Sequence, residues 1–389
     1  MNSVVKVGII GIGNMGSAHF NCIYNSEIDG LKISSVCDID KAKLKRTKES
    51  YTDIECFSDY KEFLLKSDTD AVIIAVPHPL HAEIAVAAFK AGKHVLLEKP
   101  IDIAVSKAEA LCREAKKSKK IFAIMFNQRT NGLFAEARRI VRSGELGELK
   151  RSVWIITNWY RTQNYYDSGA WRATWKGEGG GVLLNQCPHQ LDLWQWICGM
   201  PKKVLSKLHY GLWHDIEVED DVTTYVEYEN GATGVFITST GDAHGVNRFE
   251  IQMDKGRLIA ENEKLELLEY DMTEQEFSKT NTEPFATVGA KKIEVETDGE
   301  NPQHVGVLNA WGGAIIRGES LVAGGEEGIN GLTLSNAMHL SSWLDKEITL
   351  PFDEELYYNE LMKRVATSKR KTNVKEVVAD TSGSYSGAK

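Results

Sequence analysis

The chain has no run of roughly 18 uninterrupted apolar residues, the length that a membrane-spanning helix needs. Its first residues, MNSVVKVGIIGIG, carry neither a basic leader segment nor a cleavage site, so a cytoplasmic location is the expectation. Six cysteines, Cys22, Cys37, Cys56, Cys112, Cys187 and Cys198, form no CxxC pair and no zinc-ligand spacing; they read as reduced thiols, and no metal is implied. Basic residues are outnumbered, 46 Lys and Arg against 55 Asp and Glu, for a net charge of −9. That balance argues against nucleic acid or an anionic membrane as the main partner, because either favours a basic face. There is no internal repeat and no low-complexity block. What is present, 42% hydrophobic and 26% charged residues in a chain of 389, suits a globular protein. The length is too great for one ordinary domain of roughly 100 to 200 residues.

Up to about residue 126, apolar runs of strand length alternate with helical patterns, the signature of βαβ units and a parallel sheet. Expected strands are Val4 to Ile10, Leu31 to Cys37, Ala71 to Val76, His94 to Glu98 and Ile121 to Phe126, with a shorter one at Glu55 to Phe57. They are rich in Val and Ile, as strands buried on both faces should be. HAEIAVAAFKAGK reads as a helix that stops at Gly92. From about Glu148 the pattern changes. RSVWIITNWY, DDVTTYVEY, ATGVFITST, RFEIQM and GRLIAE read as antiparallel strands, and NPQHVGVLNAWGGAIIRG and GINGLTLSNAMHLSSWL as late helices. The expected architecture is α/β, a doubly wound parallel sheet over residues 1–126. An α+β domain with a large, mostly antiparallel open sheet follows over 127–370, then a polar tail over 371–389.

Gly11-Ile12-Gly13-Asn14-Met15-Gly16 directly follows the first strand and opens a helix. In that context the motif is a dinucleotide loop of the Rossmann type. Gly11 permits the tight turn, Gly13 lets the backbone approach a pyrophosphate, Gly16 permits close helix packing, and the helix N-terminus stabilises the anion. Asn14 and Met15 complete the loop against the cofactor. Asp38 ends the second strand, about 22 residues after Gly16, where a carboxylate accepts bonds from ribose hydroxyls and repels a 2′-phosphate. No Arg follows in Asp38-Ile39-Asp40, so NAD is expected over NADP.

The stretch AVIIAVPHPLHAEIAVAAFKAGKHVLLEKPI, residues 71–101, resembles the Gfo/Idh/MocA family, particularly through Glu98-Lys99-Pro100. The resemblance resumes at GGGVLLNQCPHQLD, residues 179–192. It implies a nicotinamide-dependent oxidoreductase acting on sugars, polyols or their derivatives, whose second-domain sheet associates into a homodimer or homotetramer. It implies that Lys99, at the end of the fifth strand, hydrogen-bonds the reacting hydroxyl and stabilises developing alkoxide charge. It places Pro77, His81, Glu98 and Asn127 beside the dinucleotide.

Asn185 and His189 flank Pro188, which is tolerated in the first turn of a helix but not in its interior, so a helix should start near Cys187 or Pro188. His189 then sits in the first turn, where the dipole keeps the ring neutral and suited to general-base work. The family pattern has Asp where this chain has Asn185, which can orient His189 or bond a hydroxyl but cannot act as a base. Asp192, one turn beyond His189, reads as a cap or dipole partner. Between Trp154 and Trp175 lie Trp159, Tyr160, Tyr165, Tyr166 and Trp171, flat faces with polar tips that suit sugar rings, and about half of this aromatic group should be core. Trp171 and Arg172 are the leading substrate contacts, since family members carry such a pair ahead of the glycine-rich stretch; Arg161 and His304 add to them. The Asn185 departure and the aromatic segment resemble a branch acting on glycosides, with oxidation at the 3-hydroxyl. Two alternatives stay open: a redox-neutral glycosidase that uses bound NAD for a transient keto-sugar, and a sensor of NAD or sugar without catalysis.

Overall fold

The computed structural model describes residues 4–369, 371 and 374, so the expected tail over 371–389 lies almost wholly outside the described residues. Six parallel strands form the first sheet: β1 (Val5–Ile10), β2 (Leu31–Cys37), β3 (Glu55–Phe57), β4 (Ala71–Ile74), β5 (His94–Leu97) and β6 (Phe122–Ile124). Their order, β3-β2-β1-β4-β5-β6, reverses direction at β1/β4, and ligands of such sheets bind outside the carboxyl ends at that reversal. Every residue of β4 and β6 is buried, which is why their sequences carry no polar alternation. Helices α1 (Asn14–Tyr24), α2 (Lys41–Ser50), α3 (Tyr60–Lys66), α4 (His81–Lys90) and α5 (Val105–Ser118) cover the two faces. Asp40 and Asp59 cap α2 and α3 through the next backbone N–H groups, and Gly92, at φ +74°, follows the end of α4.

Helix α6 (Gly132–Ser143) leads into β7 (Leu149–Ile156), the middle of a nine-stranded sheet. After it come α7 (Gln163–Asp167), α8 (Pro188–Cys198), β8 (Lys203–Tyr210), β9 (Glu219–Glu227), β10 (Thr233–Ser239), β11 (Asn247–Met253), β12 (Gly256–Glu261), β13 (Lys264–Tyr270), α9 (Glu274–Thr280) and β14 (Ala290–Glu294). The chain then forms α10 (Gln303–Arg317), α11 (Gly328–Leu344), β15 (Ile348–Thr349) and α12 (Glu354–Thr367). Strand order is β14-β13-β12-β11-β7-β10-β9-β8-β15, antiparallel except for the β7/β10 pair. Inward residues such as Val204, Leu208, Val222, Val226 and Phe236 share one core with Leu191 and Trp194 of α8 and Leu334 and Met338 of α11.

The late helix α10 does not cover the second sheet. Its Val307, Leu308 and Trp311 pack with Val7, Ile9, Ile33 and Ile73 in the core of the first. Among the described residues, no helix is long and apolar enough to cross a membrane.

Candidate active site

One cleft of about 2150 Å³ runs from the glycine loop, past the carboxyl ends of β1, β4 and β5, to the start of α8. It exceeds the roughly 300–1,000 Å³ of a small-ligand pocket, so it has room for a dinucleotide together with a second molecule. At one end Gly11 has φ +92°, and a Cβ there would lie 2.4 Å from the Ala75 carbonyl oxygen. A Cβ on Gly16 would lie 1.8 Å from the Gly11 oxygen, whereas one on Gly13 would meet nothing within 4 Å. The turn and the helix contact therefore require glycine, and Gly13 opens onto the space a pyrophosphate would take. No side chain caps α1 at Gly13, which leaves its first N–H groups for an anion; Asn14 and Met15 also line the cleft.

Asp38 accepts from the backbone N of Ile12 (2.9 Å) and of Asp40 (2.8 Å), tying β2 to the glycine loop. The cap of α2 is Asp40, so Asp38 has no capping role there and lines the cleft at the carboxyl end of β2. Lys43 Nζ lies 3.7 Å from Asp38, and Arg46 also lines the cleft. Neither cation lies within two residues of Asp38 in the sequence; α2 brings both from its first turns.

The middle of the cleft is a buried polar cluster. Glu98 Oε1 lies 2.7 Å from His19 Nε2. Burial opposes ionisation of Glu98, but His19, His304 and Lys99 outweigh it and hold the carboxyl at about 2. The His304 ring stands 5.8 Å from that of His19, and Asn127 Nδ2 donates to Gln303 Oε1. Pro77 lines the cleft. His81 borders it too, but its ring nitrogens lie 2.6 Å from the Pro100 oxygen and 2.8 Å from the Val76 oxygen. His81 thus stands beside the glycine-loop end of the cleft, as expected, and its ring also joins the ends of β4 and β5. His19 and Gln303 went unnoticed because their partners lie 79 and 176 residues away.

Lys99 closes β5, and its peptide bond to Pro100 is cis. Its Nζ donates to the backbone oxygen of Asn185 at 2.8 Å. Burial lowers the Lys99 pKa, while Glu98 and Glu178 oppose that shift. Helix α8 begins at Pro188 with Cys187 as its N-cap residue, as the proline required, and His189 lies in its first turn. Burial, then the charge of Lys99, holds the imidazole well below its usual range, so the ring is neutral. No protein group pairs with His189 Nδ1 among the described residues. Asp192 is not the expected cap or dipole partner: both its oxygens accept from buried Arg129 at 2.7 Å, and Arg129 also pairs with Glu327. The loop holding Asn185 is pinned from β9, where Glu219 accepts from the N–H groups of Gly181 and Leu183.

At the far end Arg172 donates to the Tyr165 hydroxyl (2.8 Å) and lies over the rings of Tyr165 and Trp171. Arg161 donates to the Tyr160 oxygen and lies over Trp159 and Tyr165. Trp154, Tyr166 and Trp175 belong to the core, while Trp159, Tyr165 and Trp171 line the cleft and Tyr160 is exposed. One acid escaped notice altogether. Glu178, buried, accepts from the Asn185 side-chain amide and from the Ala173 N–H. It stands in Gly177-Glu178-Gly179, where a lone carboxylate among glycines ahead of an apolar run was the available signal.

Residues 5–126 match the profile of an oxidoreductase family with an NAD-binding Rossmann fold, and residues 134–259 that of the same family's C-terminal domain. The chain belongs to the Gfo/Idh/MocA oxidoreductase family. Among relatives of this Gfo/Idh/MocA protein, the myo-inositol 2-dehydrogenase of Thermotoga maritima is 27% identical over 66% of this chain and 75% of its own length. The levoglucosan dehydrogenase of Pseudarthrobacter phenanthrenivorans is 26% identical over 68% and 75%. Among solved structures, the WlbA dehydrogenase of Chromobacterium violaceum, in complex with NADH and UDP-GlcNAcA, is 26% identical with a TM-score of 0.75, covering 91% of this chain and 97% of that one. The Gfo/Idh/MocA chain described here is accordingly an NAD-binding oxidoreductase.

Proposed function

We propose that the protein oxidises a secondary hydroxyl of a sugar, polyol or glycoside, with the 3-hydroxyl of a glycoside as the specific candidate. The observation that carries this reading is the convergence of Lys99, neutral His189 and Asn185 on the wall of one cleft continuous with the glycine loop. NAD, held by the glycine loop, the N-terminus of α1 and Asp38, supplies the hydride acceptor. Lys99 Nζ, released from the Asn185 carbonyl, donates to the substrate oxygen and stabilises the charge growing there. His189, neutral with a free ring nitrogen, accepts the hydroxyl proton. Trp159, Trp171 and Tyr165 offer flat faces to the ring, with Arg161 and Arg172 as donors at its rim. Glycoside binding is supported by the three aromatic side chains and two guanidinium groups gathered at this end of the cleft.

The reading extends to assembly. The outward face of the second sheet carries partly exposed Val153, Ile155, Val235 and Ile237 beside exposed Leu205 and Tyr225, and a second copy of the chain would cover it as a homodimer or homotetramer.

A panel of sugars, inositols and glycosides, with NADH absorbance followed at several pH values, tests the chemistry. Net NADH formation without loss of the glycosidic group is expected. Bond cleavage with no NADH accumulating would replace this reading with a redox-neutral glycosidase, and no turnover on any member would remove it.

A further inference from the structure

Among the described residues each carboxylate oxygen of Glu178 has one donor: Oε1 accepts from Asn185 Nδ2 and Oε2 from the Ala173 N–H. The Asn185 amide has two chemically opposite ends. Its nitrogen faces Glu178, and none of the described residues donates to its oxygen, while the side chain lines the cleft beside Lys99 and His189. An ionised carboxylate only accepts hydrogen bonds, so it holds the amide with NH₂ inward and Oδ1 towards the cleft. A protonated carboxyl also donates. That donor pairs with Oδ1 and turns the NH₂ towards the cleft, with no covalent change beyond uptake of one solvent proton by Glu178. The two oxidation levels of the substrate carbon differ in the matching property, since an alcohol has an O–H to give and a ketone only lone pairs.

We propose that Glu178 is a positioning residue whose protonation state decides which end of the Asn185 amide meets the substrate, favouring the alcohol when ionised and the ketone when protonated. This rests on the dehydrogenase reading above. Burial raises the Glu178 pKa to about 7, against the pull of Arg172 and of its two hydrogen bonds and with the push of Glu219. Lys99, Lys371 and Tyr166 also feel its charge, and the His78 ring lies 3.2 Å from its backbone oxygen. Both protonation states are therefore populated near neutrality.

The test uses the full chain with Glu178→Gln, Glu178→Asp and Asn185→Ala. As pH rises through about 7, KM for the alcohol should fall and KM for the ketone rise, each about fivefold, the worth of one hydrogen bond. Glu178→Gln should flatten both profiles with NAD affinity unchanged, and Glu178→Asp should restore a pH dependence at a shifted midpoint, which a purely structural role would not do. Unchanged KM profiles in Glu178→Gln would overturn the proposal. A second readout needs no turnover. The ¹⁵N side-chain amide resonance of Asn185, identified by its loss in Asn185→Ala, should titrate with a midpoint near 7 and stop titrating in Glu178→Gln. If Glu178→Gln fails to fold, the Glu178→Asp midpoint takes its place. A resonance that does not titrate sinks the switch even if a sugar is oxidised; one that titrates while no substrate is oxidised leaves the switch standing and removes the dehydrogenase reading.

Discussion

The two ends of the cleft are built by different means. At the end proposed for the dinucleotide, the glycine loop and its partner lie between Gly11 and Asp38 and are defined by backbone geometry: a turn, an uncapped helix start, and two N–H groups gripped by one carboxylate. At the end proposed for the substrate, Lys99, Trp171, Glu178, Asn185 and His189 are spread over 90 positions and present side chains, and the loop that carries Asn185 is held by Glu219 on a strand still further along. A site made from local backbone geometry leaves a spaced pattern in the sequence, because only certain residues allow the turn. One made from packed side chains leaves no spacing rule, since any loop can deliver a carboxylate to a buried corner.

Lys99→Ala should separate the two ends most sharply. Turnover on a confirmed substrate should fall about 100- to 1,000-fold, as for loss of one oxyanion donor, while NAD affinity measured by fluorescence stays near its starting value. Near-normal turnover would remove Lys99 from the chemistry. The next effect belongs to Glu178. Its folded pKa of about 7 lies above the 4.5 of a free glutamic acid, so the native state holds a proton that the unfolded chain gives up. The associated stability is fully present below about pH 4.5, is lost as pH rises towards about 7, and is absent above it. Over that window the protein should lose on the order of 3 kcal/mol relative to Glu178→Gln, read from urea unfolding of the two chains. A constant difference between them would contradict the burial argument.

Gly16→Ala should damage the dinucleotide end alone. The added Cβ must displace α1 from the Gly11 carbonyl, costing about 1–3 kcal/mol, or roughly 5- to 150-fold in NAD affinity. Unaltered binding would show that the loop does not hold the cofactor. The smallest change is Asp38→Ala, which should narrow the NAD preference about tenfold, with Lys43 and Arg46 left to meet a 2′-phosphate. Kinetics with both cofactors would measure it. Equal use of NADP by the unaltered protein would sink the ribose assignment of Asp38.

This contrast also explains what could be read from the chain. The six strands of the first sheet were legible because burial on both faces leaves runs such as AVII and HVLL, and Pro188 fixed the start of α8 because a proline fits only a first turn. Strand β8 escaped because KVLSKLHY alternates with Lys and Ser, and β13 and β14 because KLELLEY and AKKIE carry half their residues as charges on a solvated face. In the site, resemblance supplied Lys99 and His189. The partners His19 and Gln303 have no local mark, and neither does the pairing of Asp192 with Arg129; Glu178 has only its place among glycines. Burial disfavours the charged form of both groups, which pushes the Glu178 carboxyl up to about 7 and carries the His189 imidazole well below its usual range.

Helix α10 has a consequence for how the chain is made. The core of the first sheet includes Val307, Leu308 and Trp311, so that sheet remains unfinished when residue 126 leaves the ribosome. From 126 to 303 is 177 residues, about 10 to 35 seconds of synthesis at roughly 5–20 residues per second. Throughout that interval the share of this core filled by Val307, Leu308 and Trp311 stays open, with Phe20 and Ile23 of α1 as part of its native cover, and transiently exposed apolar surface of this kind favours aggregation. A gene fragment ending at 126 would hold it there for good.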